Sequence, residues 1–134
     1  YESLVKHLRK ELQVIKKKLS AFMPQVLIGT AGAVTTLAAL RDNIYPYDPE
    51  RIHGALLPRQ DVEILLQELK EKSLNERLKL KPLEPGREDL IIAGTVIVLE
   101  TMRAFQCDPL LVSEYSLREG IILKALKTLE SGTS

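Results

Sequence analysis

Leu4, Leu8, Leu12, Ile15, Leu19 and Phe22 recur every three or four positions, the spacing of one helical face. They predict an amphipathic helix over about residues 2–21, ended by Pro24. Residues 25–28 then read as a buried strand running into Gly29, and the small residues of 31–41 as a helix. Pro46 and Pro49 stiffen a loop, and 52–57 has the look of a short strand. Past Pro58, Val62, Leu65, Leu66 and Leu69 form the inward face of another helix. Ser73 with Glu76 has capping-box spacing and opens a short helix through Leu80. Pro82, Pro85 and Gly86 make a second loop. Segment 88–105 is strand-like by propensity, but strands usually run to about 10 residues at most, so it reads as a helix. Being apolar nearly all round, that helix should be central to the core. Asp108-Pro109 breaks it, 110–113 is a strand, and Ser116 with Glu119 is a second capping box opening a last helix to about Leu129. Residues 131–134 read as a disordered tail. Helices between short apolar strands make the chain α/β, with too few strands for a complete sheet.

Size and charge narrow the functional classes. A chain of 134 residues is one domain or less, and long enough to bury a core. A formal charge of +1 gives no electrostatic reason for nucleic-acid or membrane binding, and neither partner is expected. The charge is uneven: Lys6, Arg9, Lys10, Lys16, Lys17 and Lys18 face only Glu2 and Glu11 in the first helix. That surface is either solvated or a resting place for a long polyanion. Cys107 is the only cysteine, which rules out an internal disulfide and points to a reducing, cytoplasmic setting. The apolar run 90–99 is too short to span a bilayer. His7 and His53 have no second ligand at metal-binding spacing, so no metal site within this chain is expected.

Candidate chemistry concentrates at Ile28-Gly29-Thr30-Ala31-Gly32, a strand, a tight turn and a helix start. Backbone N–H groups at such a place, with the partial positive charge of a helix N-terminus, suit a phosphate. The competing reading is that Thr30 is a plain helix cap. Arg87 precedes the long apolar helix; its forked donors match phosphate oxygens, and the alternative is a solvated arginine. Glu88 and Asp89 read as complements to the helix dipole, without chemistry.

Four blocks in this order and spacing resemble the exopolyphosphatase/guanosine pentaphosphate phosphohydrolase (Ppx/GppA) family. They are the glycine turn, Asp48-Pro49-Glu50-Arg51-Ile52-His53-Gly54, Arg87-Glu88-Asp89-Leu90-Ile91-Ile92-Ala93-Gly94, and Val112-Ser113-Glu114-Tyr115-Ser116-Leu117-Arg118-Glu119-Gly120. The resemblance implies an actin-like, ribonuclease H-like ATPase-type fold, with few parallel strands packed by several helices. It makes residues 1–130 the C-terminal part of the family's second domain. A first domain with a phosphate loop and a catalytic glutamate, and an Asp-x-Gly-Gly-Gly-Ser turn, are expected outside the chain. The implied activity is release of orthophosphate from polyphosphate or guanosine pentaphosphate, with Mg²⁺ in the full-length enzyme and not bound by this chain alone. Gly29, Thr30, Ala31, Gly32 and Arg87 would form one wall of the interdomain substrate cleft, with Arg118, Glu119 and Gly120 at the hinge and no catalytic residue present.

The family's turn usually reads Gly-Thr-Gly-Gly-Thr. Ala31 tolerates positive φ poorly and Ala33 removes a hydroxyl, which weakens direct contact of this turn with a ligand. A sugar-kinase-like nucleotide-binding domain and a non-catalytic scaffold module are the alternatives. Alone, the chain is expected to be inactive, and to self-associate as a homodimer through an uncovered face at 25–28 and 90–99.

Overall fold

The computed structural model describes residues 1–19 and 21–131. In chain order its elements are α1 (Glu2–Lys18), β1 (Ile28–Thr30), α2 (Gly32–Arg41), α3 (Pro49–Ile52), β2 (Leu56–Leu57), α4 (Arg59–Glu71), α5 (Leu74–Arg77), α6 (Leu90–Phe105), β3 (Leu110–Ser113) and α7 (Leu117–Ser131). The three-stranded sheet has the order β1-β3-β2. β1 runs parallel to β3, with Gly29 opposite Val112 and Thr30 opposite Ser113. β2 is antiparallel to β3, so only one of the two pairings is of the parallel kind expected.

The core forms where α2, α4 and α6 meet the sheet. Leu37, Ala38, Ile52, Leu57, Val62, Met102 and Val112 are wholly buried there. α2 and α6 cross closely: a Cβ on Gly94 would lie 2.7 Å from that of Ala33. α1 packs Leu4, Val5 and Leu8 against this core. Arg9 fastens it to α6 through Glu100, Nε to Oε2 at 2.7 Å, and Arg103 donates to the same carboxylate at 2.8 Å.

Several expectations shift. The first helix ends at Lys18, six residues before Pro24, and Ile15, Leu19 and Phe22 of its stripe are exposed. The strand expected at 25–28 lies at 28–30, because pairing with β3 begins only at Ile28. Residues 52–57 are not one strand. The Asp48 side chain accepts from the Glu50 N–H at 3.1 Å, and with Pro49 at the first helical position it starts the short α3. Only Leu56–Leu57 then pair. The capping box of Ser73 and Glu76 forms, but its helix ends at Arg77. α6 ends at Gln106 in the left-handed conformation, before Asp108 is reached. α6 is central to the core as expected, although its Leu90 and Ile97 are exposed. Val26 and Ile28 are exposed as well. Ser131, placed in the tail by sequence, ends α7; 132–134 lie outside the described residues. No helix among the described residues is long and apolar enough to cross a membrane.

Candidate functional site

Three loops converge beside the start of α2 and enclose a cleft of about 290 Å³. One wall is the turn from β1 into α2. Ala31 occupies the N-cap position at φ 67°, ψ 178°, a conformation that favours glycine. No side chain caps α2, so Thr30 is not its cap, and the first-turn N–H groups lie at the mouth of the cleft. Thr35 turns its hydroxyl back to the Gly32 carbonyl at 3.4 Å.

The second wall is the loop before α6. Arg77 braces this loop, donating to the carbonyls of Leu69, Lys72 and Glu88 at 3.0, 2.7 and 2.9 Å. Arg87 lies over Gly32, where a Cβ would come within 1.9 Å of its Nη1, so a side chain at that position would displace the guanidinium. Its Nε pairs with Glu84 at 2.8 Å, and the side chain is 44% exposed. Both ends of that pair remain open to solvent, which makes the contact weak and exchangeable for a stronger anion.

The third wall is the β3–α7 connection. Glu114 accepts a hydrogen bond from the hydroxyl of Tyr47, which lies in the α2–α3 loop. Burial and this carboxylate both raise the Tyr47 phenol above its ordinary pKa. The Glu114 N–H donates to His53 Nδ1 at 3.2 Å, and the imidazole lies 4.4 Å from the Tyr115 ring. At the start of α7, Glu119 accepts from the Ser116 N–H at 2.6 Å and from its hydroxyl at 2.8 Å. These bonds hold the Glu119 carboxyl at a pKa of about 2. Arg118 projects from this first turn to the cleft.

Ala31, Gly32, Arg87 and Arg118 therefore share one cleft. Gly29 and Thr30 are not among its lining residues. Gly29 is a packing position, where a Cβ would meet Val34 and Leu110 at 2.8–2.9 Å. Glu119 caps α7, and nothing described lies within 4 Å of where a Gly120 Cβ would be. Sequence reasoning passed over Tyr47, Thr35, Glu84 and Glu114. The available signal was a tyrosine and carboxylates in loops that end next to a helix start.

The sequence profile of the Ppx/GppA phosphatase family matches residues 2–129. The chain belongs to the Ppx/GppA phosphatase family. The exopolyphosphatase 2 of Mycobacterium tuberculosis is 32% identical over 119 residues, covering 86% of this chain and 37% of that protein. The bifunctional 3-dehydroquinate synthase/phosphatase of Fusobacterium nucleatum is 36% identical over 123 residues, 92% of this chain and 18% of its own length. The crystal structure of the Aquifex aeolicus Ppx/GppA phosphatase, type II variant, superposes with a TM-score of 0.82 at 36% identity, over 90% of this chain and 39% of that one. The chain thus spans well under half the length of these Ppx/GppA relatives, and its fold is that of part of their actin-like architecture.

Among the described residues no three His, Cys, Asp or Glu side chains gather as a metal-binding group. The two carboxylates of the cleft are engaged, Glu84 with Arg87 and Glu114 with Tyr47. Mg²⁺ takes one or two carboxylates together with waters and substrate phosphates, so Glu84 and Glu114 by themselves are not a closed site for it.

Proposed function

We propose that this chain forms one wall of the cleft in which a Ppx/GppA hydrolase binds a chain of phosphates and releases orthophosphate from its end. The observation that carries this reading is Arg87 laid over Gly32 at the uncapped start of α2, with Arg118 opening on the same space. Two guanidinium groups and free helix N–H groups together favour a multiply charged anion. Displacing the exposed Glu84 from Arg87 would cost little against a phosphate held by forked donors. In this reading, groups outside the chain supply the base that orients water, and Mg²⁺ is bound only in the longer enzyme. This chain binds and orients, and by itself releases no orthophosphate. The setting we infer is cytoplasmic, with Cys107 buried as a free thiol.

Inorganic polyphosphate needs only the polar cleft. Guanosine pentaphosphate needs in addition a place for its base. Beyond Arg87 the surface turns into an apolar groove of about 360 Å³ lined by Ala33, Leu90, Ile91, Ala93, Gly94 and Ile97, which supports the nucleotide as a second substrate. Calorimetric titration of the chain with tripolyphosphate tests the common part. Arg87→Ala should weaken binding by about 10-fold, the loss of one charge-assisted hydrogen bond, without lowering the unfolding temperature. Equal binding by the variant and the unaltered chain would return Arg87 to the solvated residues.

A further inference from the structure

The β3–α7 connection brings Glu114 and Ser116 to the cleft and leads into Arg118 in the first turn of α7, yet α7 buries none of its residues. What places this wall must therefore act on the connection itself. His53 stands behind it. Its backbone is fixed from both sides, because its own N–H donates to the Pro49 carbonyl at 2.8 Å and the Gly54 N–H to the Val112 carbonyl at 2.9 Å. Val112 in turn donates to the Ala55 carbonyl at 2.8 Å. From that anchored position the imidazole makes two contacts with the connection. Nδ1 accepts from the Glu114 N–H, and the ring packs on Tyr115. A backbone N–H can only donate, so Nδ1 presents its lone pair and a neutral imidazole carries its proton on Nε2.

We propose that His53 is a positioning residue of the anion cleft: through Nδ1 it fixes the Glu114 backbone, and so the wall that carries Glu114, Ser116 and Arg118. The step from wall to anion rests on the function proposed above. Tyr47 holds the same wall from the front through the Glu114 carboxylate, which leaves His53 to set the backbone from behind. Ser113 closes the bend, accepting from the Tyr115 N–H at 3.1 Å and donating to the Tyr115 carbonyl at 3.0 Å. These bonds close the turn that leads from β3 into the first turn of α7.

Two substitutions separate the acceptor from the ring. His53→Phe keeps an aromatic ring against Tyr115 and loses the acceptor; His53→Asn keeps an acceptor where Nδ1 was and loses the ring. Amide hydrogen exchange at Glu114 and calorimetric titration with tripolyphosphate are measured on both. In His53→Phe the Glu114 amide should exchange about 10-fold faster, and tripolyphosphate should bind several-fold more weakly. His53→Asn should restore both to within about twofold. Unchanged Glu114 exchange in His53→Phe, or undiminished tripolyphosphate affinity in a variant whose Glu114 amide has loosened, overturns the proposal. A ¹⁵N spectrum of the unaltered chain, read on the neutral imidazole, needs no variant: the tautomer protonated on Nε2 is expected at His53, and the one protonated on Nδ1 overturns the proposal. Should the unaltered chain bind no tripolyphosphate, the reading of the cleft falls, while Glu114 exchange and the Nδ1 resonance still decide what His53 holds.

Discussion

Helix α4 turns Val62, Leu65, Leu66 and Leu69 onto the core and leaves each at most 8% exposed, whereas α7 carries Leu117, Ile121, Ile122, Leu123 and Leu126 at 50–78% exposed. The two helices have similar apolar content and opposite fates. α4 packs against α6, which also holds α1 and α2. α7 leaves the far end of β3 and turns away from that assembly, so its leucines meet water. Apolar surface stabilises a fold only in proportion to the area it removes from water. Stability should therefore reside in the packed region, while Val26, Ile28, Leu90, Ile97 and the exposed side chains of α7 contribute little to it.

The largest test sets one residue from each region side by side. Met102 is fully buried in α6, and Met102→Ala should cost about 2–5 kcal/mol from lost transfer energy and the cavity left behind. Leu126→Ala, at a half-exposed position in α7, should change stability by no more than about 0.5 kcal/mol. Urea titration followed by circular dichroism reads both. Equal losses would mean that α7 packs in solution and that the contrast between the regions is false.

Next in size is the junction of α1 with α6. Glu100 is buried, its side chain 5% exposed, and is held by Arg9 and Arg103. Glu100→Gln should cost about 1.5–3 kcal/mol, the range for hydrogen bonds to a charged group. The hydrogen bond from Arg9, the larger cause, and that from Arg103 hold the Glu100 carboxyl below its ordinary pKa of 4.5. Its contribution is therefore complete above that value and is lost as pH falls below it. Stability of the unaltered chain should fall through that acid range, and the Gln variant should lose less. Parallel acid curves would remove Glu100 from the account of the packed region.

How much of this was legible in sequence follows the same division. The inward face of α4 and the bounds of β3 are as expected, because a 3.6-residue stripe and an apolar run between turn residues are local signals. β1 was misplaced by three residues because Val26, Leu27 and Ile28 are equally apolar, and only the partner strand decides where pairing begins. Arg87, Gly32 and Ala31, which line one cleft, lie at or just before helix starts, where sequence has a recognisable grammar; Arg118 lines the same cleft although the sequence reading puts it at a hinge. Tyr47 and Glu114 offer only the weaker signal of loop residues beside a helix start, since each takes its role from a partner 67 residues away. The exposure of α7 was equally hidden: its pattern records apolar residues, not whether anything covers them.

Between the two regions lies Ala31, at a φ of 67° where a Cβ is strained. Such positions cost about 1–3 kcal/mol. Glycine would relieve this, while the greater freedom of its unfolded chain takes back about 0.4–1 kcal/mol. Ala31→Gly should therefore stabilise the protein by about 1 kcal/mol, read as a higher urea midpoint at unchanged slope. A lower midpoint would mean that the turn is unstrained in solution and adopts another conformation.

The smallest expected effect is confined to the start of α7. Glu119 accepts two hydrogen bonds from Ser116, and its carboxyl pKa is lowered from 4.5 to about 2. A lowered folded-state pKa means that the cap is fully formed above pH 4.5 and is lost as pH falls towards 2. Because α7 buries nothing, its first turn has no packing to fall back on when the cap goes. The packed helices keep theirs. Hydrogen exchange of the α7 amides should therefore quicken between pH 4.5 and 2, beyond the intrinsic pH dependence, before the amides of α6 respond. Glu119→Gln should remove that acid transition and leave α7 in one state across the range. If the α7 and α6 amides loosen together, the two regions unfold as one unit, and the contrast drawn between them does not extend to their dynamics.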